Sequence, residues 1–143
     1  MKPRSLLRPA ACYVLFAAVV TWPLVLHPFS RLASPQGPGD SYLNLWILGW
    51  DLRTLSSHPA ALLTGRIFDA NIFYPAVGTL AYSDHLILQA IALLPLYLAT
   101  HDLTLCYNVL LFGSLVASAL TMHLFVREVI GSEAGAFAAG LIW

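Results

Sequence analysis

The chain has 143 residues, 59% of them hydrophobic and only 10% charged, and its seven basic and seven acidic residues cancel. A soluble domain carries about 25% charged residues, so this composition, with a mean hydropathy of +0.75, excludes an ordinary soluble domain and predicts an all-α, polytopic transmembrane helical bundle. The balanced charge excludes nucleic acid as a partner and leaves membrane lipids. Cys12 and Cys106 lie inside apolar runs and read as small hydrophobes, not as a disulfide or metal pair.

Lys2, Arg4 and Arg8 precede the first apolar run with no acid among them, which by the positive-inside tendency keeps the N-terminus cytoplasmic. Residues 10–27 are expected to form a first span, with Pro9 suited to its first turn and Pro23 expected to kink or fray its far end. A cleaved signal peptide is the rival for this end. It lacks a clean small-x-small cleavage site, because Arg31 stands where Arg31-Leu32-Ala33 would need a small residue.

Residues 28–83 follow as a long external loop. Ser30 to Gly39 is rich in Pro, Gly and Ser and reads as loop. Gly37-Pro38-Gly39-Asp40 then forms a turn ending in a carboxylate, and Ser41 to about Ser56 reads as a helix, because Leu43, Trp46, Ile47 and Trp50 recur at i, i+3, i+4 and i+7. At helical spacing Asp40, Asn44 and Asp51 share a stripe roughly 40° wide. The tryptophans flank it on one side and Leu45, Leu48 and Leu52 lie on the other. Such a narrow polar line suits a helix lying at a membrane face.

Pro59 to Gly65 reads as a short helical turn after His58-Pro59 ends that helix. Phe68 to Pro75 is an aromatic irregular stretch, and Ala76 to Thr79 is a turn. A loop of roughly 55 residues without function is unusual, so it is expected to fold back on the membrane face. The second span is expected over 84–100, with Asp84 and His85 in its first turns, and His101-Asp102 then makes a tight turn. The third span is expected over 103–126, ended by Arg127-Glu128, and a fourth begins at 133–143 with Ser132 as its cap. Because that last apolar run is only about half a span long, the chain is expected to be the N-terminal part of a longer protein.

Several residues could carry chemistry. Asp40 is either a helix N-cap or a general base or metal-binding carboxylate held at the mouth of a membrane site. Asp51 is a second candidate, with pairing to Arg53 or Arg66 as the structural alternative. Asp84 and His85 could bind a phosphate or a cation or relay a proton, unless they simply end a solvated loop. Asp69, Asn71 and Tyr74 either line a pocket or anchor the interface. Asn108 and His123, inside the third span, read as helix–helix hydrogen bonders. Walker, CxxC, HExxH and GxSxG motifs are all absent from the sequence, so soluble-type nucleotide and hydrolase chemistry has no support.

The order of these features resembles the N-terminal part of bacterial polytopic membrane glycosyltransferases of the GT-C superfamily. The features are a basic cytoplasmic start, an external Gly39-Asp40, a Trp-rich interfacial helix, Phe68-Asp69-Ala70-Asn71-Ile72-Phe73-Tyr74-Pro75, and a Ser83-Asp84-His85 entry to the next span. The resemblance covers Gly39 to Trp143. It implies an inner (plasma) membrane enzyme that transfers a sugar from a polyprenyl-phosphate donor, on the external face, to a glycan, lipid or protein acceptor. Asp40 matches the superfamily's essential loop carboxylate, which acts as base toward the acceptor or helps to hold a divalent cation. Asn44, Asp51, Asp69, Asp84 and His85 would bind substrate. Ser41 departs from the acidic pair common in relatives, and no metal ligands are assigned. The alternatives are a transporter or flippase-like protein, with the Asp40 stripe, Asp84 and His85 lining its path, and a non-catalytic multi-span subunit.

Overall fold

The computed structural model describes residues 6–32 and 39–142, and the described residues contain helices and turns with no strand. In chain order the helices are α1 (Leu7–Val20), α2 (Gly39–Ser57), α3 (Ala61–Thr64), α4 (Ile87–Thr100), α5 (Leu103–Ile130) and α6 (Glu133–Ile142), with 3-10 turns at Leu24–Leu26, Arg66–Phe68 and Thr79–Tyr82. The chain divides into two compact units. One comprises residues 29–108 and the other residues 1–28 with 109–143.

In the first unit α2 packs along α4. The face of α2 that carries Ile47, Leu48, Asp51, Leu52 and Leu55 is buried. Ile47, Ala70 and Leu80 form a core against which Trp46, Trp50, Ile72 and Leu86 pack. The tryptophans of α2 are therefore turned onto the aromatic loop: their rings stack with centroids 6.4 Å apart, and Trp50 Nε1–H donates to the Ile67 carbonyl at 2.7 Å. The loop is closed on itself by the Gly78 amide, which donates to Asp69 Oδ1 at 2.9 Å, and by the Thr79 hydroxyl, which donates to the Ile72 carbonyl. Gly78 sits at φ +66, a left-handed conformation that suits glycine. Asn108 Nδ2 donates to the Arg31 carbonyl at 2.7 Å.

In the second unit α1, α6 and the later turns of α5 meet around Tyr13, Ala17, Ala119, His123 and Ala136, all buried. Gly140 lies so close to Tyr13 that an added Cβ would meet the phenol hydroxyl and, at 2.7 Å, the Ala119 carbonyl.

One helix among the described residues is long and apolar enough to cross a membrane. It is α5, of 28 residues, and only 11% of its most apolar window is buried. A soluble core helix would have most of that window covered. The apolar helices α1, α4 and α6 have 14, 14 and 10 residues, short of the roughly 20 that a bilayer needs.

Four element boundaries differ from the sequence expectation. The helix expected over 10–27 stops at Val20 and resumes only as a 3-10 turn, because Pro23 lacks an N–H and disfavours a helical Trp22. α2 starts at Gly39 and not at Ser41. The helix expected from residue 84 starts at Ile87, because the preceding turn ends in an extended Ser83 that leaves Asp84 and His85 outside the helix. α5 runs through Arg127-Glu128 to Ile130 and ends where Gly131 takes φ +73.

Candidate functional site

α2 organises the candidate residues, and its polar stripe runs from open to closed. Asp40 is exposed, Asn44 is half-buried and Asp51 is 0% exposed. Asp40 is not the N-cap that the spacing suggested. It lies inside the first turn, where the positive end of the helix dipole favours a carboxylate. Gly37-Pro38, the rest of the expected turn, lies outside the described residues. Asp40 and Asp51 are eleven residues apart, about 16 Å along a helix axis. They share a face without sharing a site.

Asp51 is buried, and neither carboxylate oxygen has a well-formed hydrogen bond. The structural alternative, pairing with Arg53 or Arg66, is not made, and both arginines are exposed. Loss of hydration pushes the Asp51 carboxyl up to about 6, while the charge of His85 and the Leu86 amide favour the ionised form and limit the rise. His85, in the segment just before α4, acts on this carboxylate through its charge. Its Nδ1 is also buried and unpartnered, and Phe68 stands edge-on to its ring at 4.9 Å. Burying such a carboxylate without well-formed hydrogen bonds is costly, and titratable groups perturbed in this way concentrate at functional sites. A carboxyl that titrates near 6 beside an imidazole can pass or hold a proton.

The remaining candidates do not join this pair. Asp84 is exposed beside His85. Asp69 is also exposed and spends one oxygen closing the loop on Gly78, and Asn71 and Tyr74 stand in solvent. Asn108 is bonded to Arg31, and His123 belongs to the other unit. Among the described residues no three His, Cys, Asp or Glu side chains converge on a metal site.

Phe68 and the pairing of Asp51 with His85 escaped the sequence reading. The burial of Asp51 did leave a signal, because Ile47, Leu48, Leu52 and Leu55 surround it at helical spacing. His85 left none, since it lies 34 positions further along the chain, beyond the end of α2 and the irregular segment that follows. Comparison with protein-family profiles, with curated proteins and with solved structures found no match.

Proposed function

We propose that the chain belongs to a multi-pass inner-membrane glycosyltransferase of the GT-C type, in which Asp40 acts as the base toward the acceptor of a sugar carried on polyprenyl phosphate. α5 crosses the bilayer, α1, α4 and α6 are apolar segments of the same membrane domain, the N-terminus is cytoplasmic and residues 28–83 are external. The observation that carries this reading is the presentation of Asp40. An exposed carboxylate stands on the first turn of a 19-residue helix whose body is locked by buried contacts to α4 and to the aromatic loop. A base toward an acceptor hydroxyl needs that combination of open access and fixed position. A leaving lipid phosphate needs cationic or hydrogen-bond donors, and the half-buried His85 and the amides at the start of α2 are of the right kind.

The test is sugar transfer from a polyprenyl-phosphate-linked donor in membranes carrying the full-length protein. The Asp40→Asn variant is expected to lose about 10²- to 10⁴-fold in rate with normal membrane levels. Transfer retained in that variant removes the catalytic role.

The buried Asp51, with the charge of His85 acting on it, favours a second reading, a proton-coupled transporter. Proteoliposomes would then show solute uptake driven by a pH gradient and abolished by Asp51→Asn, and they would show none if the enzyme reading holds.

A further inference from the structure

The aromatic loop that precedes α4 has an inner and an outer side. Its inner apolar residues, Ala70, Ile72 and Leu80, pack with Ile47 and the tryptophans of α2. Its outer ones, Phe73, Tyr74, Val77 and Tyr82, are 76–93% exposed on the chain taken alone. They are not left out for want of a core, because the core beside them is made. No Asp, Glu, Lys or Arg occurs between Asp69 and Asp84, so this outer surface offers a charged partner nothing to pair with. Bare phenol and phenyl rings without charge suit a membrane boundary, where the ring meets acyl chain and the hydroxyl meets water.

The backbone of the loop suits the same place. A segment that enters the edge of a bilayer must satisfy its own amides. Here the amides of Ala76, Ala81 and Ser83 donate to the carbonyls of Phe73, Gly78 and Leu80 at 3.0–3.2 Å, and the Gly78 amide is taken by Asp69. Length decides what the loop does there. α4 has 14 residues, about 21 Å of helix against roughly 30 Å of hydrocarbon. It carries no charged residue, and its Leu88, Ile91 and Leu98 are exposed. The shortfall is about 9 Å, and an apolar surface seated at the boundary sinks about 5–10 Å.

We propose that residues 70–82 form a lipid-docking surface, in which Phe73, Tyr74, Val77 and Tyr82 sink into the boundary between headgroups and acyl chains and complete the crossing that α4 begins. The occupant is the bilayer and not a protein. Bare apolar residues continue along the chain through α4 and a two-residue turn, His101-Asp102, into α5, which is itself open to lipid. Ser83 and Asp84 stay among the headgroups, where a carboxylate keeps its water. Because the inner side of the loop packs on α2, docking also fixes the depth of that face of α2. The inference rests on α5 lying in the bilayer and is independent of the chemistry at Asp40 and Asp51.

The test is photolabelling of the full chain in vesicles of phosphatidylcholine and phosphatidylglycerol. The probe is a phosphatidylcholine with a diazirine near the glycerol end of one acyl chain, and adducts are mapped by mass spectrometry. Adducts are expected on residues 70–82 and on α5. Phe73→Asp combined with Val77→Asp puts charge into the surface, and the loop adducts should then be lost while those on α5 remain. Adducts on α5 with none on the loop of the unsubstituted chain overturn the proposal, and so does a chain with none on either. A blank loop together with disulfide-linked dimers of Tyr82→Cys, made in a Cys12→Ala chain, assigns the surface to a second copy and overturns it as well. The unsubstituted chain decides the point even if a variant fails to fold. Loss of sugar transfer or of solute uptake leaves the adduct pattern as it is, so the functional readings are tested apart from this one.

Discussion

Asp51 binds its proton more tightly folded than unfolded, because burial raises its carboxyl from the ordinary value near 4 to about 6. Between those two values the native state holds more protons than the unfolded chain. The associated stability is fully present below the unfolded value and is lost as pH rises through about 6. Denaturant titrations of the full chain in detergent should show stability falling by up to about 3 kcal/mol across that window. Asp51→Asn, which keeps the shape and removes the charge, should flatten the profile and leave the variant more stable than the unsubstituted chain above pH 7. An unaltered profile in Asp51→Asn would show that the carboxylate is solvated or paired in the native state. The sequence already placed Asp51 among apolar neighbours on its helix face. It could not name His85, because the two come within reach of each other's charge only when the loop folds back, and spacing along the chain carries no record of it.

The helices were legible where an apolar period ran uninterrupted and less so where a turn decided the boundary. α2 and α6 follow the spacing closely. α1 is cut short by Pro23, and α4 starts late because the loop before it stays extended through His85. α5 continues past two charged residues that composition took for its end.

Packing between elements yields two expectations. Trp50→Phe keeps the ring but leaves the Ile67 carbonyl without its donor, and it should destabilise the α2–loop unit by about 1 kcal/mol in denaturant titrations. Gly140→Ala places a methyl against the Tyr13 hydroxyl and the Ala119 backbone. It should loosen α6 by about 1–3 kcal/mol, read as faster amide exchange in α6 while α2 is unaffected.

At the scale of the whole molecule, α5 is the element with the length and lipid-compatible surface to enter a bilayer. The full chain should therefore remain in the membrane fraction after alkaline extraction. If residues 28–83 are external, Ser83→Cys should react with a membrane-impermeant maleimide added outside intact cells, beyond any labelling of Cys12 and Cys106. Labelling that appears only after the cells are opened reverses the proposed orientation.

The bond from Asn108 to the Arg31 carbonyl has a consequence for how such proteins can be altered. It buttons together two points 77 residues apart in sequence, so the segment between them is a loop of chain with neighbouring ends. Segments with neighbouring ends are the ones that transplant between hosts. This stretch carries Asp40, Asp51 and His85, so the candidate residues all lie on one length of chain drawn closed at its ends.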